Sequence, residues 1–266
     1  MLAKRMSMME QPERTESAVK GAQTLMRALD ILDEVLAGPI RAADLARKLD
    51  VSKTTAHRLA QALRSRDYLS VTKDGFALGP KLLQLGVHAT EQIDFVRIAR
   101  PFMEVLSERT GFCVFVAKRE GDWSRHLERV IGRQRLRVAT APGDRRLIAE
   151  TGLGKSLLLD ETEAEWTRCY RLAFGDEASP ERLEHFLAEM RASAARGYVA
   201  HDSELGDGVR SIAAPVRDAR GEICIAISIA SAAHYLTEEI APELTRQIVQ
   251  TAGHIGAAVG HDTSAR

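Results

Sequence analysis

The chain has 266 residues, of which 45% are hydrophobic and 28% charged, and its formal net charge is zero. This composition is typical of a folded globular protein and excludes a wholly disordered chain. No apolar run approaches the roughly 18 residues of a membrane span, and residues 1–17 lack the apolar core of a secretory signal. Three scattered cysteines without a CxxC pair predict neither a disulfide framework nor a zinc ribbon. We therefore expect a cytoplasmic protein with no membrane partner.

The zero net charge hides an uneven distribution along the chain. Residues 1–90 hold 14 Lys and Arg against 10 Asp and Glu, whereas residues 91–266 hold 23 against 27. A basic smaller part followed by an acidic larger part is compatible with a nucleic-acid-binding head on a larger body. Such uneven charge distributions are also common by chance, so the evidence for or against nucleic-acid binding must come from the sequence motifs.

Residues 1–17 are polar and without periodicity, which predicts a disordered leader. Three short helices are predicted next. The first ends at Gly38-Pro39, and its apolar stripe is Leu25, Ala28, Leu29, Leu32 and Val35 or Leu36. The second has Ala42, Leu45, Ala46 and Leu49 on one face. The third runs from about Lys53 to Arg66 and buries Ala56, Leu59, Ala60 and Leu63.

The second and third helices have the spacing of a helix-turn-helix, with Ser52 as the N-cap of the third. Strands at 68–72 and 76–78 around a Lys73-Asp74-Gly75 turn then predict a wing. The residues expected to contact DNA are Ser52, Lys53, Thr54, Thr55, His57 and Arg58 on the third helix and Lys73 on the wing. The alternative is a three-helix packing module whose third helix is merely solvated.

The body is predicted to mix strands with helices. A helix is expected from Lys81 to about Ile93, followed by another from about Phe95 to Arg109 that is kinked or broken at Pro101. Strands are predicted at 112–118, 125–131, 136–139, 211–217 and 222–230, and helices at 155–159, 161–172, 180–196 and from Thr237 onward. Strands joined by short turns indicate an α+β body with an antiparallel or mixed sheet flanked by helices.

Two segments of the body could carry chemistry. The stretch from Gly152 to Ser156 ends like a phosphate-binding loop, but Ala149 stands where that pattern needs glycine, so a glycine turn before a helix is favoured, either as an anion site or as a plain turn. The segment from His201 to Glu204 is interpreted as a polar surface loop rather than a metal site. No nucleophile elbow, zinc-protease or dinucleotide motif occurs, so we expect no catalytic residue, no metal and no cofactor.

Six segments together resemble the IclR family of bacterial transcription regulators over about residues 20–260. In the head these segments are Ala28-Leu29-Asp30-Ile31-Leu32, Leu45-Ala46 followed by Val51 to Leu59, and Gly75 to Leu82. In the body they are Thr151 to Lys155, Gly197-Tyr198 followed by Glu204-x-x-x-Gly208-Val209-Arg210, and Ile212 to Val216. Each motif alone is modest, and their shared order and spacing are specific.

The resemblance implies a winged helix-turn-helix domain at 18–80, a linker helix at 81–94 and a GAF-like effector-binding domain at 95–261. It implies a homodimer, often paired into a homotetramer, whose affinity for double-stranded operator DNA responds to a small organic or aromatic acid. The regulated genes would form a catabolic operon, and repression is the commoner mode in the family. The alternatives are an enzyme that uses the pocket of the body and a DNA-binding protein that responds to no ligand.

The family's effector pocket carries over position by position. It corresponds to the backbone of Gly152 and Leu153 and to His201, Ser211, Ser228 and Ala230. The sequence departs from the family at several of these positions: His201 replaces Asp, Ser211 replaces Cys, Ala230 replaces Ser, and Ala149-Glu150 replaces His-Ala. These changes imply an effector that is larger than a two- or three-carbon keto acid or differently charged.

Overall fold

In the computed structural model, residues 22–134, 140–175, 179–203 and 206–261 are described. The chain divides into two compact units, Met1–Ile93 and Asp94–Arg266. The leader expected at 1–17 and the strand expected at 136–139 lie outside the described residues. Among the described residues, no helix is both long enough and apolar enough to cross a membrane.

The first unit has three helices, a two-stranded hairpin and a fourth helix. In chain order these are α1 (Gln23–Leu36), α2 (Ala42–Lys48), α3 (Lys53–Arg64), β1 (Leu69–Thr72), β2 (Gly75–Leu78) and α4 (Pro80–Glu91). Helices α2 and α3 pack against each other across the turn at Val51, which confirms the predicted helix-turn-helix. Helix α3 ends two residues earlier than predicted because Asp67 adopts a left-handed conformation and the Tyr68 N–H returns to the Leu63 carbonyl.

The apolar stripe predicted on α1 is wrong in part. The buried residues are Ile31 and Val35, whereas Leu25, Leu29 and Leu36 are 58%, 45% and 70% exposed. Helix α1 carries two adjacent apolar stripes, and spacing alone does not say which one faces α3. The first unit therefore buries one stripe in its own core and leaves the other outside that core.

The hairpin pairs Leu69 with Leu78 and Thr72 with Gly75, so its turn is Lys73-Asp74 and Gly75 begins the second strand rather than ending the turn. Gly75 has φ +136°, and a β-carbon there would overlap the carbonyl of Ile40. Ile40 bridges to Phe76 through two backbone hydrogen bonds of 2.8 and 2.9 Å. The glycine is thus required for this close approach of the α1–α2 connection to the wing.

The second unit, which confirms the predicted α+β architecture, contains six strands and five helices in its described residues. The first elements are α5 (Phe95–Thr110), β3 (Cys113–Glu120), β4 (Trp123–Val130), β5 (Arg145–Leu147), α6 (Gly152–Ser156) and α7 (Glu163–Phe174). The remaining elements are α8 (Pro180–Arg196), β6 (Val199–Asp202), β7 (Val209–Arg217), β8 (Ile223–Ala232) and α9 (Ala241–Ala258).

Several predicted elements of this unit need correction. Strands β5 and β6 were not predicted, because both are short and polar edge strands without a clear apolar alternation. Helix α5 continues through Pro101 without a break. Helix α6 begins at Gly152, where Thr151 caps it, and not at Lys155. Helix α9 begins at Ala241 rather than Thr237, whose carbonyl accepts a hydrogen bond from the Ala241 N–H.

The six strands form one antiparallel sheet in the order β5-β4-β3-β8-β7-β6. Side chains alternate between its two faces, and the register aligns the alternation from strand to strand. One face buries mostly β-branched residues on the side packed by α5 and α9; they include Val114, Val116, Ile212, Ile227 and Ile229. The other face lies toward α6 and carries smaller side chains, which is where space for a ligand remains.

We expect Gly75→Ala to lower the free energy of unfolding of the first unit by about 2 kcal/mol or more, because the new β-carbon overlaps the Ile40 carbonyl at a strained φ. Urea unfolding followed by circular dichroism measures the change. Gly86→Ala in α4 is the matched control: its β-carbon meets no atom within 4 Å, and alanine favours a helix by up to about 1 kcal/mol. A Gly75→Ala protein as stable as the parent would contradict the close approach.

Candidate nucleic-acid interface and ligand cavity

The start of α3 is fixed by Ser52. Its Oγ accepts a hydrogen bond from the Thr55 N–H at 3.2 Å and lies 2.9 Å from the Thr55 hydroxyl. This satisfies one of the N–H groups left free at the first turn of a helix, as predicted from the sequence. Thr55 is half-buried and its hydroxyl is engaged by the cap, so Lys53 and Thr54 are the more exposed side chains of this turn.

The outer face of α3 is exposed and cationic. Lys53, Thr54, His57 and Arg58 are all exposed, while Ala56, Leu59 and Ala60 face the core. In the described part of the chain neither Lys53 nor Arg58 forms an ion pair. The His57 ring lies 6.1 Å from that of Phe76 on β2. The exposed positive charges therefore remain available to an anionic surface.

Lys73 occupies the first position of the wing turn and is exposed. It lies in the same unit as α3, and the Ile40–Phe76 bridge holds the wing to the helical core. The structure thus brings all seven DNA-contact residues expected from the sequence into one unit, six of them within or just before α3.

A cavity of about 290 Å³ opens on the α6-facing side of the sheet; we call it the sheet cavity. All six residues expected in the effector pocket line it: Gly152, Leu153, His201, Ser211, Ser228 and Ala230. The strand register explains their meeting, because His201 pairs with Ser211, Ser211 with Ala230, and Ser228 with both Ala213 and Phe115. Directly paired residues share a face, so side chains from three separate strands point into one space.

The glycines of the 152–156 segment are explained by packing. A β-carbon on Gly152 would lie 2.5 Å from the Ser211 hydroxyl and 2.9 Å from the His201 β-carbon, and one on Gly154 would overlap the Ile148 carbonyl. Gly152 and Gly154 also belong to α6 itself and do not form a turn before it. Glycine at these positions lets the short helix lie directly on strands β6 and β7.

Sequence reasoning missed several polar residues of the sheet cavity, among them His126 on β4 and Arg146 on β5. Burial lowers the pKa of His126 to about 4; Asp144 acts in the opposite direction and Arg146 in the same direction as burial. Its imidazole is therefore neutral at neutral pH. The ring packs edge-on against Phe115, which also lines the cavity. The signal available in the sequence was a histidine inside the strand predicted at 125–131.

A larger cavity of about 730 Å³ lies between α8 and the edge strand β6. His201 and Ser211 line both cavities, so these two residues form the partition. The buried Lys155 also lines the larger cavity, with its Nζ 3.3 Å from His201 Nδ1 and 5.2 Å from the centre of the Phe186 ring. The lysine of the phosphate-loop-like segment thus contacts His201, which is half-buried on strand β6 and not part of a surface loop.

Among the described residues one group resembles a metal site: Asp122, Glu165 and Cys169 place ligand atoms within 4.8 Å of one another. Arg168 donates to Asp122 at 2.5 Å and to Glu165 at 2.8 Å, and it lowers the pKa of both carboxyls, that of Glu165 to about 2. Burial raises the pKa of the Cys169 thiol to about 11. The group is thus a carboxylate–arginine network beside a protonated thiol, which is a poor metal ligand.

Two family models match the chain. The model described as the IclR helix-turn-helix domain covers residues 24–72, and that described as the bacterial transcriptional regulator IclR C-terminal covers residues 87–257. Together they match parts of both units and include every residue singled out above on α3 and in the sheet cavity. Lys73 on the wing lies just beyond the matched residues.

Individual proteins agree with the family models. The chain is 28% identical to the HTH-type transcriptional regulator KipR of Bacillus subtilis over 247 residues, which are 90% of this chain and 98% of that protein. It is 30% identical to the regulator BhcR of Paracoccus denitrificans over 79% of this chain and 77% of that one. The crystal structure of the Agobacterium tumefaciens repressor BlcR superposes with a TM-score of 0.71 at 24% identity, covering 92% of this chain and all of that one, which supports the fold.

The low pKa of His126 predicts a pH dependence of stability. Below about pH 6.5 the imidazole of the unfolded chain takes up a proton, whereas the folded protein resists protonation until about pH 4. His126 therefore makes no pH-dependent loss of stability above about pH 6.5, and its contribution lowers the free energy of unfolding as the pH drops toward 4. Replacing His126 by Phe keeps an aromatic contact with Phe115 and should flatten part of this fall in urea unfolding. Equal slopes in parent and variant across this window would contradict the assignment.

Proposed function

Because the chain belongs to the IclR family of bacterial transcriptional regulators, we propose that it binds an operator with α3 and changes its operator affinity when a small acid occupies the sheet cavity. Like the members of this family, it is a ligand-responsive, DNA-binding transcriptional regulator and not an enzyme. The more specific proposal concerns which residues contact the DNA and the ligand, and how binding at one site affects the other.

The observation that carries the DNA-binding proposal is the exposed, cationic start of α3. Lys53 and Arg58 offer charged donors to phosphates or base edges, and Thr54 and His57 lie on the same exposed face. Ser52, Thr55 and Lys73 complete the proposed contact set: the first two order the start of the helix, and Lys73 reaches from the wing toward backbone phosphates. Because bacterial operator DNA lies in the cytoplasm, we expect the protein to be cytoplasmic.

The effector proposal rests on the convergence of Gly152, Leu153, His201, Ser211, Ser228 and Ala230 on one cavity. Hydroxyls from Ser211 and Ser228 and the imidazole of His201 provide hydrogen bonds, while Leu153 and Ala230 provide apolar contact. A cavity of about 290 Å³ suits a small organic acid or a single-ring aromatic acid. Such a ligand is typical of a regulator of a catabolic operon, and we propose repression as the mode.

Ligand binding regulates only if the ligand prefers one arrangement of the protein over another. We propose that the predicted linker, which corresponds to α4, transmits this preference from the effector domain to the DNA-binding heads of an oligomer. The linker would act by changing the spacing of two heads, because an operator with two half-sites is sensitive to that spacing.

We also propose that the protein is a homodimer or a homotetramer. Its first unit leaves apolar side chains exposed on α1 and α4, namely Leu25, Met26, Leu29, Leu36, Leu83, Leu85 and Val87. Exposed apolar side chains grouped on two helices are typical of a surface that a second subunit covers. Sedimentation of the full chain as a monomer would contradict this proposal.

Arg58→Ala should weaken operator binding by about 1–3 kcal/mol if Arg58 reads a base edge, because a charged donor is lost. Fluorescence anisotropy with labelled DNA from upstream of the protein's own gene, at moderate salt, measures the affinity. Lys48→Ala is the matched control, since Lys48 lies on α2 and already pairs with Glu34. Equal operator affinity of the Arg58→Ala protein and the parent would argue against α3 as the recognition helix.

Ser228→Trp should abolish the response to the effector while operator binding persists, because the indole fills the sheet cavity from the middle of β8. Thermal shift against a library of small carboxylic acids identifies ligands of the parent, and anisotropy then measures their effect on operator binding. Ser231→Ala, which changes the opposite face of the same strand, should respond like the parent. A ligand that still shifts the Ser228→Trp protein would refute this placement of the pocket.

A further inference from the structure

We propose that the sheet cavity has a second polar end, formed by His126 and Arg146, which binds an oxygen acceptor of the effector, most strongly a second carboxylate. This inference rests on the proposed function of the cavity as the effector site, and it narrows the ligand to an acid with polar groups at both ends. Neither residue was among those expected from the sequence to bind the effector.

The two residues meet through the register of β4 and β5. Arg146 pairs directly with Ser124, and His126 lies two residues further along β4, so Arg146 and His126 are diagonal neighbours on one face. Both line the sheet cavity. The backbone of His126 is held by the Gly143-Asp144 segment, since its N–H donates to the Asp144 carbonyl at 2.9 Å and its carbonyl accepts from the Gly143 N–H at 2.8 Å.

The environment of His126 decides which of its ring nitrogens carries the hydrogen. The residue is 6% exposed, and its Nδ1 is enclosed with no hydrogen-bond partner in the described part of the protein. A buried N–H without an acceptor is rarer than a buried lone pair without a donor. We therefore place the hydrogen on Nε2. The low pKa agrees with a neutral ring, whose Nε2–H is then a hydrogen-bond donor for a ligand in the cavity.

Like the Nε2–H of His126, the Arg146 side chain contributes hydrogen-bond donors. A guanidinium has five N–H donors and no acceptor. Arg146 is exposed and makes no ion pair with any described residue. The neighbouring Arg145 differs, because its guanidinium lies 4.9 Å from the centre of the Trp123 ring and 3.9 Å from Glu120. The His126 Nε2–H and the Arg146 guanidinium thus both act as donors, and a ligand that meets this pair must bring an acceptor.

The strand spacing sets the length of the ligand. Ser228 is on β8, Phe115 pairs with it on β3, and His126 is on β4, so the two polar ends are two strands apart. Two strand spacings are roughly 10 Å. The side chains at both ends extend into this distance, so the remaining length suits a linear acid of about six carbons or a ring with a polar group at each end. Glu150 and Asp207 also line the cavity, whereas among its described lining residues Arg146 alone carries a guanidinium that attracts a second carboxylate.

Isothermal titration calorimetry of the full chain with matched probes tests the inference. Adipate carries two carboxylates, adipamate replaces one of them by a neutral amide, and hexanoate lacks the second polar end. A series of diacids from succinate to suberate, each compared with the monoacid of the same chain length, shows which distance between the two carboxylates fits the cavity. The variants are His126→Phe, which keeps the contact with Phe115, Arg146→Gln, and the control Arg145→Gln, which lies outside the cavity lining.

We expect the best diacid to bind the parent at least about tenfold more tightly than its monoacid, since its second carboxylate accepts charge-assisted hydrogen bonds. His126→Phe and Arg146→Gln should each remove most of this preference and leave monoacid binding nearly unchanged. Arg145→Gln should behave like the parent. Adipamate should bind more weakly than adipate and more tightly than hexanoate, because its amide carbonyl accepts hydrogen bonds but carries no negative charge.

Two results would overturn the inference: no diacid binds more tightly than its monoacid, or both variants bind the best diacid as the parent does. If monoacid binding is meanwhile lost in Ser228→Trp and the parent binds its operator, the effector site stands and the second polar end alone fails. A parent that binds its operator but no acid of either kind would instead contradict the proposed effector site, and this inference with it.

Discussion

Alternation of side chains along hydrogen-bonded strands is the constraint on which the second unit depends. Because the six strands pair in register, every odd position of β8 between Ile225 and Ser231 lies on one face, and Ala226, Ser228 and Ala230 lie on the other. The first face carries large β-branched residues and is packed by two helices. The second carries small residues, so the same alternation that fills one side of the sheet leaves room for a ligand on the other.

The same sheet also determines how the glycine-containing helix α6 is used. Gly152 lies against Ser211 and His201, and Gly154 lies against the backbone at Ile148. Those contacts account for glycine at both positions without any bound phosphate. They also place Lys155 beside His201, on the wall between the two cavities. A segment that resembles a nucleotide-binding loop in sequence thus serves to bring a helix close to two strands.

In the first unit, two local contacts order the proposed DNA-binding surface. Ser52 caps α3 and engages Thr55, which fixes the turn that presents Lys53 and Arg58. Gly75 permits the backbone of Ile40 to bridge to Phe76, which ties the wing to the helices. The exposed cations on α3 therefore project from an ordered surface, and less conformational entropy is lost when they meet DNA.

Local patterns in the sequence were sufficient to predict the helix-turn-helix, the cap at Ser52, the wing and the α+β body, and a family resemblance supplied a set of cavity residues. These rest on local periodicity, on turn chemistry and on motifs in a characteristic order. Tertiary structure alone decided which apolar stripe of α1 is buried, that the short polar segments at 145–147 and 199–202 are edge strands, and that His126 and Arg146 share a cavity with Ser228. Each of these depends on pairing between segments far apart in the chain, and local spacing carries no information about such pairing.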